Sequence, residues 1–110
     1  MGPERHPGRF LAGRQLASSG QSPVNFIHID DCIAILKQII RQEKWGEVFN
    51  ACADAHPSKK SFYTEATEKL KLEPPQFSDT ASPSYKEVSS KKLKQQLGYQ
   101  FIHPDPSKAL

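Results

Sequence analysis

The sequence predicts an α/β fold: a small, mostly parallel sheet with about three helices. Three observations carry this expectation. A β-branched and aromatic run, Val24-Asn25-Phe26-Ile27-His28-Ile29, precedes a run of helical period over Cys32–Ile40, and a second apolar run, Glu47–Ala53, follows it. Strand, helix and strand within about 30 residues make a βαβ unit, which implies parallel strands and a right-handed crossover. The length of 110 residues suits one domain and is too short for two. The expected organisation is thus a single unit over 1–110, with a loop-rich lead-in at 1–23 and the folded part at 24–110.

Each element has a local reason. Pro3, Pro7 and Pro23 fix φ and remove backbone donors, so the lead-in reads as extended and looping. Asp30 and Asp31 stand where a carboxylate can accept the free N–H groups of a helix's first turn. In that helix Cys32, Ile35/Leu36 and Ile39/Ile40 form a wide apolar face, and Trp45-Gly46 ends it. Glu47–Ala53 is nearly continuous in apolar character and so reads as a strand buried on both faces. Ser58 caps a helix with Phe62, Ala66 and Leu70 on one face, which Glu73-Pro74-Pro75 stops. Gln76–Lys86 is loop with one short strand around Phe77. Ser89 or Ser90 caps a last helix carrying Leu93 and Leu97, with Gly98 beyond its end. Tyr99–Ile102 is the final strand, before a tail broken by Pro104 and Pro106.

Composition narrows the function classes. Apolar residues are 36% of the chain, so the core is lean, and fifteen basic against twelve acidic side chains leave a net charge of only +3. That mild excess makes no basic stripe, which argues against nucleic acid as a partner. No apolar run approaches the roughly 18 residues that span a bilayer, so no membrane partner is expected. The polar, proline-broken start does not read as a signal peptide. Two cysteines cannot make a disulfide framework, and their setting reads as reducing cytoplasm.

Several patterns imitate chemistry. Gly8-x4-Gly13 has phosphate-loop glycine spacing, but Arg14-Gln15 stand where lysine and a hydroxyl are needed. No Gly-x-Gly-x-x-Gly follows a strand, and no Gly-x-Ser-x-Gly occurs. His28-x3-Cys32 and Cys52-x3-His56 offer zinc-type ligands, yet sit on elements that need not converge. They read as core thiols and hydrogen-bonded histidines, so no metal ligand is assigned. The Asp30-Asp31 pair reads as capping rather than an acid/base dyad. Arg5, His6, Arg9 and Arg14 could hold an anion but read as solvated surface.

Three segments together carry a family likeness: Gly2-Pro3-Glu4-Arg5-His6-Pro7-Gly8-Arg9-Phe10-Leu11, Asn25-Phe26-Ile27-His28-Ile29-Asp30-Asp31 and Trp45-Gly46-Glu47-Val48-Phe49-Asn50-Ala51. In their order and separation the chain resembles the C-terminal, substrate-binding subdomain of a Rossmann-type extended short-chain dehydrogenase/reductase, of the NAD-dependent epimerase/dehydratase (nucleotide-sugar epimerase-like) family. The family's glycine-rich cofactor loop and Tyr-x-x-x-Lys pair have no counterpart: Tyr63, Tyr85 and Tyr99 are followed four residues later by Thr67, Ser89 and His103. The resemblance therefore implies a truncated, substrate-side fragment, inactive alone, with no catalytic or cofactor-binding residue of its own. NAD(P) is implied for the parent family, and Arg5, Arg9 and His28 for the substrate pocket. The implied partners are a missing Rossmann half or, through a bare strand edge and helix face, a second copy. The alternative is a free-standing binding or oligomerisation module without catalysis.

Overall fold

In the computed structural model, which describes residues 1–110, the chain runs through α1 (Gly8–Leu11), β1 (Gln15–Ser19), α2 (Ile29–Arg41), α3 (Lys59–Lys69), β2 (Gln76–Ser78) and α4 (Lys91–Leu97), then a 3-10 turn at Pro106–Ala109. It is a small α/β structure whose sheet has two parallel strands, β1 beside β2. Gln15 pairs with Gln76 and Ser19 with Ser78, so β1 bulges between these points.

The lead-in is the first correction. Residues 1–23 hold α1 and β1 instead of forming a loop. Gly8 explains how α1 reaches the body: a Cβ there would stand 2.5 Å from the Ala66 carbonyl oxygen, so only glycine lets α1 lie on α3.

The three expected long strands are the second correction. Of the expected strands, Val24–Ile29 is extended only to His28 and then enters α2, and Glu47–Ala53 and Tyr99–Ile102 are extended or looping; none lies in a sheet. Their amides find other partners. Val24 N–H donates to the Pro57 carbonyl, Ala53 N–H to Phe26 and Ile29 N–H to Met1. Backbone groups satisfied one at a time by three separate segments cannot form a ladder. Glu47–Ala53 is also not buried on both faces: Cys52 and Ala53 are buried, while Val48 is 82% exposed.

The helices follow their local signals more closely. Ser58 Oγ accepts the Ser61 N–H at 3.2 Å, and Phe62 and Ala66 are fully buried on α3. α4 ends at Gly98 in the left-handed region, φ 63°. α2 begins at Ile29, earlier than expected, and its cap is His28, whose Nδ1 accepts the Asp30 N–H at 3.1 Å. It stops not at Trp45-Gly46 but at Glu43, φ 52°, whose N–H reaches the Ile40 carbonyl while Lys44 N–H reaches Ile39.

The core is two small clusters. Ile35 of α2 meets Leu93, Leu97 and Phe101. Val24 meets Phe62 and Tyr63, with Phe26 stacked on Phe62 at 5.0 Å between ring centres. No helix is long and apolar enough to cross a membrane.

Candidate functional site

The densest polar constellation lies where α2 begins and the 99–103 segment crosses it. Its base is Asp31, whose side chain is fully buried. Asp31 Oδ1 accepts the Tyr99 hydroxyl at 2.5 Å and the Ile102 N–H at 2.7 Å, and Oδ2 accepts the His103 N–H at 3.0 Å. A buried carboxylate is tolerated only when its lone pairs are filled, and these three donors fill them. The tyrosine is held in its neutral form in return: burial first, then the bond to Asp31, pushes its hydroxyl well above the ordinary tyrosine range.

The clamp fixes what stands above it. His103 is brought against His28, ring centres 4.1 Å apart and tilted by 40°. Asp30, half-exposed, lies between them, with Oδ2 2.9 Å from His103 Nε2 and 3.4 Å from His28 Nδ1. Burial, then the neighbouring His103, lowers the pKa of His28, so its imidazole is neutral at pH 7. The hydrogen bond from His103 holds the Asp30 carboxyl below its usual range. Two imidazoles and one carboxylate, with donor atoms all within 4.8 Å, make a set that can share a proton or hold a cation.

This geometry corrects the capping assignment, since neither aspartate is the N-cap. A helix has one N-cap, and His28 fills it, so Asp30 and Asp31 are free to reach the 99–103 segment. No local pattern marks His103, because its partner Asp30 lies 73 positions away. The available signal was the second aspartate of a pair that could cap only once.

The other candidate residues lie apart. Arg5 sits over the Phe10 ring at 5.2 Å and lines an apolar cleft of about 500 Å³ with Ile27, Ile29 and Cys32. Arg9 is exposed on α1, near His6. Neither Arg9 nor His28 lines the cleft that holds Arg5. Nor do His28, Cys32, Cys52 and His56 converge: His56 Nδ1 lies 3.0 Å from the Val24 carbonyl oxygen, and Cys52 Sγ 3.5 Å from that of Phe26. Burial, then Asp54, pushes the Cys52 thiol pKa up, which keeps it protonated and unreactive.

The architecture is one already seen in a solved structure. A conserved protein of Silicibacter pomeroyi DSS, described as functionally unknown, superposes with a TM-score of 0.76 over 99% of this chain and 43% of its own, at 21% identity. By sequence, the chain is similar to Protein YeeZ of Escherichia coli strain K12 and of Escherichia coli O157:H7, each 38% identical over 107 residues. The match takes in 96% of this chain and 39% of the YeeZ proteins, so the chain spans well under half of the relatives it matches. No protein-family model matches it.

These findings overturn the family reading. Nothing in them points to a short-chain dehydrogenase/reductase of the epimerase/dehydratase type, and the Rossmann-type subdomain expected from that likeness is not found. The assignment as a substrate-side fragment of such an enzyme falls with it. The relatives' names do not favour a free-standing binding or oligomerisation module either.

Proposed function

We propose that this chain serves as one face of a larger folded unit, and that the outer stripe of α2 is the surface on which further polypeptide packs. One observation carries the reading. Ile29, Ile33, Leu36 and Ile40 recur at steps of four, three and four along α2 and form a single line, and all four are exposed, Leu36 by 59% and Ile40 by 61%. An apolar line along a helix ordinarily faces the core of its own fold, so a line left in solvent is a face without its cover.

The dimensions agree. The accessible surface is 7150 Å², where a compact monomer of 12.3 kDa has about 6,100 Å². The radius of gyration is 15.5 Å, against about 13 Å for a compact domain of this length. Only 20 of 110 residues are buried, so the chain is open for its size. The occupant is polypeptide corresponding to the part of the relatives that lies outside the match, more than half of each. A second copy is less favourable. The 13 residues of α2 give a stripe about 20 Å long and about 200 Å² in area, far short of the ~800 Å² per partner of a stable complex. A patch too small to drive encounter in solution can still close within one polypeptide, where effective concentrations are millimolar.

The test grafts this chain in place of the matched 107 residues of YeeZ. The isolated chain should bind a hydrophobic dye, and the graft should not. Leu36→Glu with Ile40→Glu should leave the isolated chain's melting unchanged within ~0.5 kcal/mol and should unfold or aggregate the graft. If the isolated chain is instead a sharp dimer that the same pair dissociates, the occupant is a second copy. If the glutamates are silent in the graft, the surface is not a docking face.

A further inference from the structure

The His28–Asp30–His103 constellation uses none of the side chains of the outer stripe of α2 and has its own chemistry. We propose that it is a binding site for one divalent transition-metal ion of the zinc type, held by two imidazole nitrogens and one carboxylate oxygen with the remaining coordination open.

The spacing supports this. Zinc–nitrogen and zinc–oxygen bonds of ~2.0–2.1 Å put neighbouring donors of a tetrahedron about 3.4 Å apart. His28 Nδ1 and Asp30 Oδ2 are already 3.4 Å apart. His103 Nε2 and Asp30 Oδ2, at 2.9 Å, stand at hydrogen-bond distance and need only a few tenths of an ångström to admit an ion in place of the proton. All three donor atoms lie within 4.8 Å of one another, so side-chain rotation alone closes the set. The ligand types are selective as well: imidazole suits zinc, copper, iron and nickel, whereas magnesium and calcium take oxygen.

The support beneath the ligands is built into the fold. Asp31, buried and triply hydrogen-bonded, grips the backbone N–H of His103 itself, so that ligand is anchored by its main chain while its ring remains free to turn. His28 is anchored as the N-cap of α2. The ion must take the Nδ1 lone pair that now accepts the Asp30 N–H, so binding exchanges one capping bond for a metal bond. The partial positive charge at the start of α2, roughly half an electron, opposes a cation, and the two carboxylates of the first turn outweigh it.

Calorimetry of the 110-residue chain with zinc chloride, and with magnesium chloride as control, reads the site directly. One zinc per chain should bind with a dissociation constant below roughly 100 µM, and magnesium should not bind. Asp30→Asn with His103→Gln removes two ligands and leaves the Asp31 clamp intact, because that clamp uses the main chain of His103. Without metal it should stay folded and melt only a few degrees lower, from loss of the exposed His103–Asp30 bond, and its zinc affinity should fall at least ~100-fold, beyond the loss caused by altering groups around the ligands. Cobalt(II) should give a spectrum without thiolate charge-transfer absorption, and Cys32→Ser should change neither spectrum nor affinity. Weaker zinc binding, binding that survives the double variant, or a thiolate band would each overturn the proposal.

Discussion

α2 and α3 invite comparison, because they are of similar length and end in the same way. α2 is rich in large aliphatic residues and leaves most of them in solvent, burying Ile35 as its one fully covered hydrophobe. α3 has few apolar residues and uses nearly all of them: Phe62, Tyr63 and Ala66 are buried and Thr67 turns its hydroxyl back to the Tyr63 carbonyl at 2.8 Å. Apolar content did not decide which helix is covered. The neighbours did. α3 is roofed by α1, by Phe26 and by the end of the chain, whereas α2 meets the rest of the molecule along one narrow line at Ile35 and Ile39.

The largest effect should fall on the helix with the fewer apolar residues. Phe62→Ala on α3 removes a ring with no exposure, stacked on Phe26 and edge-on to Tyr63. It should cost about 3–5 kcal/mol, enough to unfold a marginal chain of this size. Leu36→Ala on α2, which deletes three carbons against six for Phe62→Ala, should change stability by less than about 0.5 kcal/mol. Chemical denaturation of the two variants side by side checks both values. A comparable loss at Leu36 would show that α2 is covered in solution.

A second effect belongs to the polar clamp at the start of α2. Asp31→Ala strands the Ile102 and His103 amides and the Tyr99 hydroxyl, and should destabilise by about 3 kcal/mol through unpaired buried donors. Tyr99→Phe removes one of these bonds and should cost about 1 kcal/mol. The pH dependence has a definite sign. The folded state holds the Tyr99 proton above the ordinary value near 10, so above that pH it binds more protons than the unfolded chain. The contribution is complete below pH 10 and is lost as pH rises past it. Burial raises Tyr63 in the same direction. Melting temperature should therefore fall in strong alkali, and less steeply in Tyr99→Phe. An alkaline decline equally steep in Tyr99→Phe would refute this link.

What the sequence disclosed, and what it hid, divides along the same line. The cap at Ser58 and the left-handed Gly98 were legible because each is set by residues within a few positions of it. β1 was not. Gln15-Leu16-Ala17-Ser18-Ser19 has little intrinsic strand character and becomes a strand only because β2 arrives beside it from more than 50 residues away. Tyr99–Ile102 failed in the opposite sense: its aromatic, β-branched residues suit a strand, but the Ile102 amide is taken by Asp31. The metal-type constellation was half legible. His28 and Asp30 stood together in the sequence, and nothing local announced that the Asp31 clamp would bring His103 onto them.

The smallest effect separates the two helices most finely. Both end in a turn whose left-handed residue is not glycine: Glu43 at φ 52° after α2 and Lys71 at φ 56° after α3. The bonding is equivalent, with Lys71 N–H on the Glu68 carbonyl and Leu72 N–H on Thr67, matching Glu43 on Ile40 and Lys44 on Ile39. A side chain at such φ costs about 1 kcal/mol relative to glycine, partly offset by glycine's greater freedom when unfolded. Lys71→Gly should therefore raise the melting temperature by a few degrees, about 2–6 °C for a gain of ~0.5–1 kcal/mol. Glu43→Gly relieves the same strain on a helix whose outer face has no cover. Its last turn opens locally at less cost than global unfolding, so the gain should appear mainly as slower amide exchange at Gln42–Lys44, with a smaller rise in melting temperature. Equal rises from the two substitutions would mean that α2 melts as one unit with α3, despite its exposed stripe.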